Sequence, residues 1–207
     1  MLKIWGRCNS INVQKVLWCC AELNLPFERI DAGMKFGVNN TEEYRAMNPN
    51  GLVPTIDDDG FVLWESHAIV RYLARKHGAG YLYPADMQQC ADADRWMDWY
   101  ATTVWPSLQP IFWNLIRMPP EQRDMPLVVA MTQKVVTAMG LLDTHLSTRS
   151  HVTGETFTMG DIPLGCALAR WLNLPVERPA HPHLNAYYAR LQLRPAYRQW
   201  VNVLPLT

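Results

Sequence analysis

The segment NPNGLVPTIDDDGFVLWES, residues 48–66, decides the fold of this chain. Its first four residues form a turn cluster. Two short apolar runs follow, Leu52 to Ile56 and Phe61 to Trp64, and we predict both as strands. The hairpin connection between them, Asp57 to Gly60, requires the two strands to be antiparallel. Ser66 can then cap the helix that follows.

The residues before this segment alternate between strand and helix patterns. Leu2 to Trp5 and Phe27 to Ile30 are predicted strands, and apolar residues recur at helical spacing between them. Thr41 followed by two glutamates is typical of the acidic first turn of a second helix. The first eighty residues therefore predict the order β-α-β-α-β-β-α. The apolar stripes of the first and third helices are Val13, Val16, Leu17 and Cys20, and Ile69, Tyr72 and Leu73, with Gly78 ending the third helix.

After residue 80 the strand patterns stop and long helical patterns replace them. We predict an α/β domain over residues 1–80, a linker over 81–86, and an all-helical domain over 87–207. Pro106 and Pro110 should bend the tryptophan-rich helix over 87–117, because a proline removes a helical hydrogen bond. Residues 158–161 have the spacing of a reciprocal capping box before the apolar run 162–172. Another helix has the stripe Val128, Thr132, Val135, Met139, Leu142 and Leu146.

Charge and hydropathy limit the function classes. The chain has 207 residues, with 19 basic and 19 acidic side chains, 49% hydrophobic and 18% charged residues. A balanced charge offers no excess positive field for nucleic acid or an anionic membrane. The start lacks the pattern of a signal peptide, and no stretch approaches about 18 uninterrupted apolar residues. We expect a soluble cytoplasmic protein that binds neither nucleic acid nor membranes.

The cysteines and histidines predict neither a disulfide framework nor a metal site. The five cysteines form no CxxC pair and no Cys/His spacing suited to zinc. Reduced thiols in a reducing compartment fit this odd number. His181 and His183 flank a proline without cysteine or carboxylate partners, which is more typical of a loop than of a metal tract.

Taken together, the motifs resemble the glutathione S-transferases, closest to bacterial members of the B-like, nu, theta and zeta neighbourhood. The resemblance covers essentially the whole chain and implies a thioredoxin-like first domain followed by a helical one. Four local features in this order carry it: Ser10 with Asn12 before the first helix, Asn48 to Pro54, Trp64 to Ser66, and Thr158 to Asp161.

The resemblance implies how glutathione would be held. Pro54 would be cis, leaving the backbone of Val53 free to pair with the cysteinyl unit of the tripeptide. The helix opening at Ser66 would hold the γ-glutamyl carboxylate, and Glu65 would meet its ammonium group. Lys35 could face the glycine carboxylate. The alternatives are an ordinary strand proline at Pro54, a Ser66 that is only a cap, and a solvated loop lysine.

Ser10 falls in the slot where the family places its thiol-contacting residue. A hydroxyl donating to the sulfur, beside the positive end of a helix, would favour the thiolate over the thiol. Asn12 is the second candidate, and either residue could instead be only a helix cap. Cys8 could form a mixed disulfide with glutathione, but it lies two residues before the slot of a nucleophilic cysteine.

The implied activity is transfer of glutathione sulfur to a small electrophile. Trp105, Phe112 and Trp113 are candidates to line the electrophile site, although aromatic residues at helical spacing also suit a core. Glutathione would be a co-substrate, no metal is predicted, and family members are usually homodimers. A glutathione-dependent disulfide reductase or peroxidase, a dehalogenase, and a non-catalytic docking module remain as alternatives.

Overall fold

The computed structural model describes residues 1–201 and 206. The first part of the chain has four strands and three helices, and the second part has six α-helices among its described residues. In chain order these are β1 Leu2–Trp5, α1 Ile11–Glu22, β2 Phe27–Ile30, α2 Glu42–Met47, β3 Thr55–Asp58, β4 Phe61–Trp64, α3 Ser66–His77, α4 Met87–Trp99, α5 Trp105–Phe112, α6 Met125–His145, α7 Asp161–Asn173, α8 Pro182–Gln192 and α9 Pro195–Trp200.

The four strands form one mixed sheet in the order β2-β1-β3-β4. β1 pairs in parallel with β2, β3 runs antiparallel to β1, and β4 is antiparallel to β3. Ile4 and Ile56 are partners in the centre of the sheet, and both are fully buried. This topology confirms the predicted thioredoxin-like α/β fold followed by a helical part.

Helix α1 joins the two parts of the molecule. It packs against α3 of the sheet layer and against α7 and α9 of the helical part. The fully buried Trp18 meets the ring of Tyr197 edge-on, with ring centroids 4.7 Å apart. A Cβ at Gly165 would lie 2.7 Å from the Trp18 ring, so the close approach of α7 to α1 requires glycine there.

The helical region over 87–117 contains two π-helical turns. One such turn, Tyr100–Val104, separates α4 from α5, and a second, Trp113–Arg117, follows α5. Pro106 and Pro110 lie just after the first turn and inside α5. Neither proline can donate an i to i−4 bond, which suits the widened turns beside them, and the bends themselves stay a prediction.

Both predicted bounds of β3 and one predicted helix cap are wrong, and the strand ends at Asp58 rather than Ile56. β3 begins at Thr55 rather than Leu52, because Pro54 cannot donate to a ladder and side chains hold the carbonyl of Leu52. Helix α3 has Glu65 as its N-cap, and Ser66 is its first residue. The cap shifts because Glu65 turns the chain into the helix at a φ of 71°.

The capping box before α7 is only half formed. Asp161 Oδ2 accepts the backbone N–H of Thr158 at 2.8 Å, but Thr158 does not cap the helix, whose N-cap is Gly160. Asp161 also accepts bonds from the Val152 backbone N–H and the Tyr187 hydroxyl. Burial raises the pKa of this carboxyl group. Asp161 therefore joins the start of α7 to a loop and to α8.

Helix α6 is the most apolar long helix. Within residues 1–201 and 206, the stretch Met125–Thr148 is long and apolar enough, by length and composition, to cross a membrane. Core helices of soluble proteins pass the same test, and α6 packs against α5 and α8. Residues 202–205 and 207 of the predicted helical domain lie outside the described residues, and the division at 81–86 stays a prediction.

Candidate functional site

A cavity of about 370 Å³ lies where the loops at the ends of β1 and β4 face α5 and α7. The loop before β3 closes one side of it. Its lining brings together residues from both parts of the chain. These are Arg7, Ser10, Ile11, Asn12, Asn48, Asn50, Leu52, Val53, Pro54, Glu65, Ser66, Trp105, Gln109, Phe112, Trp113, Arg117 and Arg170.

Ser10 stands at the N-terminus of α1 with its side chain on the cavity. It is the N-cap by backbone, since its carbonyl accepts the N–H of Gln14 at 2.8 Å. Its hydroxyl makes no capping hydrogen bond and the residue is 8% exposed. The hydroxyl is therefore not engaged by the helix and can donate to a group in the cavity.

Asn12 lines the cavity one residue into α1, and a buried lysine orients it. Lys15 Nζ donates to Asn12 Oδ1 at 3.0 Å and lies 3.2 Å from His67 Nε2. The same ammonium sits 4.2 Å from the centre of the Tyr100 ring, a cation–π distance. Because Lys15 engages the Asn12 oxygen, the Asn12 NH₂ group remains as the donor of that side chain.

Lys15 and His67 are both strongly affected by burial. Lys15 is 2% exposed, and burial lowers its pKa from 10.5 to about 7. Burial, followed by the nearby Lys15 charge, lowers the pKa of His67 to about 2. His67 is therefore neutral at physiological pH, and its Nε2 accepts from Lys15. The Lys15 ammonium therefore contacts the neutral imidazole of His67 and the ring of Tyr100.

The loop before β3 presents the backbone of Val53 to the cavity. The Tyr44 hydroxyl and Asn48 Nδ2 both donate to the carbonyl of Leu52, at 2.6 and 2.9 Å. Both side chains also contact Thr55 Oγ1. The Val53–Pro54 peptide is cis. No hydrogen bond among the described residues uses the N–H or C=O of Val53, so both can bind a ligand.

At the N-terminus of α3, the free backbone N–H groups of the first helical turn lie beside the carboxylate of Glu65. Ser66 is buried as the first helical residue and Glu65 is exposed. The Glu65 side chain does not cap the helix. A non-glycine residue at a φ of 71° costs about 1 to 3 kcal/mol, and such strain is common where a side chain must face a ligand.

The helical part supplies an aromatic wall. Trp105 and Phe112 begin and end α5, and Trp113 opens the π-helical turn that follows. Phe112 is buried, whereas Trp113 is largely exposed. All three residues predicted for the electrophile site line the cavity.

Comparisons with known proteins identify the family. Residues 9–76 match the family model of the glutathione S-transferase N-terminal domain, and residues 121–190 match that of the C-terminal domain. The chain is 40% identical over 205 residues to glutathione S-transferase GstB of Escherichia coli strain K12. That alignment covers 98% of this chain and 99% of the relative. The chain belongs to the glutathione S-transferase family.

Two further members show how far the likeness extends. A theta class glutathione S-transferase from the citrus canker pathogen Xanthomonas axonopodis pv. citri, solved with glutathione bound, matches at a TM-score of 0.95 and 44% identity. The match covers 100% of this chain and 99% of that one. Glutathione S-transferase 3 of Zea mays is 28% identical, with 99% and 95% coverage. The likeness therefore spans both parts of the fold.

Two residues considered in the sequence are not brought to the cavity. Lys35 is exposed in a short 3₁₀ turn, with its ammonium 5.2 Å from the Phe36 ring, and it is absent from the described lining. Cys8 is half-buried against the core and is likewise absent from that lining. The cavity between Ser10 and the aromatic wall therefore has neither Lys35 nor Cys8 in its described lining.

Three arginines of this family member were not predicted from the sequence. Arg7 follows β1, Arg117 ends the second π-helical turn, and Arg170 lies in α7, and all three line the cavity. Arg170 Cζ is 3.8 Å from the centre of the Phe112 ring. A charged residue within the apolar run 162–172 is the sequence signal that could have found Arg170.

Proposed function

We propose that this protein catalyses the attack of the glutathione thiolate on a small electrophile, with Ser10 as the residue that stabilises the thiolate. One observation carries the proposal. The free hydroxyl of Ser10, the unused backbone of Val53 and the open N-terminus of α3 line the same cavity. These are the donors and acceptors that a tripeptide with a reactive thiol needs.

Glutathione would lie along the sheet-side wall. The N–H and C=O of Val53 would pair with the cysteinyl unit as one strand pairs with another. The free N–H groups at the start of α3, with the Ser66 hydroxyl, would bind the γ-glutamyl carboxylate. Glu65 would pair with the ammonium of the same unit. This placement directs the thiol toward Ser10.

The rate gain would come from stabilising the thiolate and holding the two reactants together. A free cysteine thiol has a pKa of about 8.5, so only a few per cent is ionised at neutral pH. The Ser10 hydroxyl and the Asn12 amide are donors at the positive end of α1, and both favour the anion. Trp105 and Phe112 would hold the electrophile against the sulfur.

The redox alternatives receive no support from Cys8, because it does not line the described cavity. We propose a cytoplasmic location, which suits five free cysteines. We also propose a homodimer in which the sheet domain of one subunit packs on the helical domain of the other.

Titration calorimetry with glutathione tests the placement. Glu65→Ala and Ser66→Ala should each weaken binding by about 1 to 3 kcal/mol, the range for a lost charge-assisted bond. Glu121→Ala, an exposed glutamate outside the cavity lining, is the matched control and should bind as the wild type. Unchanged affinity in both site variants would contradict the placement.

A survey of glutathione consumption tests the reaction class. Halides and epoxides should be consumed in a reaction that depends on Ser10, and Cys8→Ala should leave that activity intact. Turnover restricted to disulfides or hydroperoxides, and lost in Cys8→Ala, would replace the transferase by a redox enzyme.

A further inference from the structure

The cavity concentrates positive charge. Arg7, Arg117 and Arg170 line it, whereas Glu65 is the one acidic side chain in the described lining. Two of the guanidinium groups surround one ring: the Phe112 centroid lies 3.8 Å from Arg170 Cζ and 5.4 Å from Arg117 Cζ. Three cations and an aromatic wall therefore meet in one small space.

Two of these three charges have no carboxylate partner among the described residues. No ion pair or hydrogen bond to a carboxylate involves Arg7 or Arg170 among the described residues. Arg7 Nε is buried without a hydrogen-bond partner, and Arg170 is only 7% exposed. Burial lowers the pKa of Arg170 to about 10, and the charges of Arg117 and Arg7 act in the same direction. Arg7 and Arg170 nevertheless remain cationic at neutral pH.

Unpaired and at least partly buried cations such as Arg7 and Arg170 are costly unless an anion binds beside them. Arginine is also the side chain best suited to a carboxylate, since its planar donors match two oxygens. Arg117 and Arg170 come from the same side as Phe112 and Trp113, the wall assigned to the electrophile. In the proposed placement the γ-glutamyl carboxylate of glutathione binds the N-terminus of α3, and the glutathione affinities below test whether the arginines hold the glycine carboxylate instead.

We propose that the electrophile is itself an anion, with a carboxylate as its charged group, and that Arg7, Arg117 and Arg170 select it. This inference rests on the proposed transferase function. An aryl chloride that carries a carboxylate illustrates the step. The thiolate sulfur forms a bond to the ring carbon, the carbon–chlorine bond breaks, chloride leaves with the bonding electrons, and the thiol proton goes to solvent.

A matched pair of conjugates tests the selection without requiring turnover. S-(4-carboxy-2-nitrophenyl)glutathione and S-(4-carbamoyl-2-nitrophenyl)glutathione differ only in carboxylate against amide, and calorimetry gives the affinity of each. We expect the carboxylate conjugate to bind at least about tenfold more tightly. Arg117→Met and Arg170→Met should each remove most of this ratio while the affinity for glutathione stays within about twofold.

Arg149→Met is the control, since it removes an exposed arginine outside the cavity lining and should keep the full ratio. If Arg170→Met does not fold by circular dichroism, Arg117→Met and Arg7→Met provide the same comparison. Equal affinity of the wild type for the two conjugates would overturn the inference. So would a parallel loss of glutathione and conjugate affinity in the variants, which would assign the arginines to glutathione itself.

Kinetics with 4-chloro-3-nitrobenzoate and 4-chloro-3-nitrobenzamide separate this inference from the proposed function. Rates are divided by the uncatalysed rate of each compound with glutathione. A higher ratio for the benzoate supports the inference, and equal ratios contradict it while leaving the transferase function intact. A protein that binds neither glutathione nor the conjugates would contradict the proposed function itself.

Discussion

At the scale of single residues, Lys15 shows how a group that serves the site can reduce stability. Its ammonium is enclosed by Asn12, His67 and Tyr100, and Cys166, Arg170 and Glu65 act on its charge from other elements. Burial lowers its pKa to about 7. Keeping the cation buried therefore costs free energy below that pH.

The pH dependence of the free energy of unfolding is set by the difference in Lys15 protonation between the folded and unfolded states. The unfolded chain keeps Lys15 protonated up to about pH 10.5, whereas the folded protein releases the proton near pH 7. Because the unfolded state then binds more protons, stability rises with pH above about 7. Burial raises the pKa of Cys166 to about 12, so this thiol opposes the rise from about pH 9. His67 titrates only below this window.

We therefore expect the free energy of unfolding to increase by about 2 kcal/mol between pH 7 and pH 9. Lys15→Met should remove most of this increase and be the more stable protein at pH 7. Urea unfolding at three pH values measures both effects, with the exposed Lys134→Met as the control. Parallel curves for wild type and Lys15→Met would contradict the assignment.

At the scale of elements, one ion pair fastens the end of α1 to the turn between α8 and α9. Arg194 donates two bonds of 2.7 Å to the carboxylate of Glu22, which also accepts from the Trp18 ring N–H. Arg194 Cζ lies 3.8 Å from the Phe157 ring. The Glu22 side chain is 8% exposed, so losing one partner leaves a nearly buried charge.

Arg194→Met should lower the free energy of unfolding by about 2 to 3 kcal/mol. The double variant with Glu22→Gln should lose less than the sum of the two single variants, because the charges are removed together. Denaturant unfolding gives all four values. Additive losses would show that the pair contributes no coupling between α1 and the α8–α9 turn.

The sequence predicted the bounds of a strand correctly where the strand and its flanking turn residues determine those bounds. β1 and β4 are mostly apolar, and β2 has an apolar residue at each end. The predicted bounds of all three strands are those of the structure. The start of β3 failed because the Tyr44 hydroxyl, from α2, holds the Leu52 carbonyl. No pattern within the strand itself reveals a contact from another element.

Some residues of the candidate site could likewise be predicted from local sequence, and others could not. Five predicted site residues come from short motifs in the first part of the chain, and the structure brings all five to one cavity: Ser10, Asn12, Val53, Glu65 and Ser66. Arg117 and Arg170 come from distant helices, where helical periodicity does not say which polar residue faces a cavity. Their position depends on how α5 and α7 pack.

At the scale of the whole molecule, the sheet has an apolar free edge. β4 is an edge strand, and Phe61 and Trp64 on it are 50% and 36% exposed. Exposed aromatic residues at a sheet edge favour contact with another chain. This supports the proposed homodimer, in which a second copy covers them.

Light scattering at micromolar concentration should therefore report about 48 kDa, twice the 23.8 kDa of one chain. Phe61→Glu should shift the mass toward that of one chain, because a charge would be buried in the interface. Leu193→Glu alters an equally apolar, exposed residue of the α8–α9 turn and should remain dimeric. A wild-type mass near that of a single chain would refute the dimer.

Ser10 is the residue that we propose stabilises the thiolate of bound glutathione. The ultraviolet absorbance of the thiolate, titrated with pH in the complex, measures this pKa directly and needs no electrophile. A depression of two units corresponds to about 2.7 kcal/mol in favour of the anion. We expect a large upward shift in Ser10→Ala, a smaller one in Asn12→Ala, and almost none in Cys8→Ala. An unchanged titration in Ser10→Ala, together with loss of disulfide reduction in Cys8→Ala, would contradict the account.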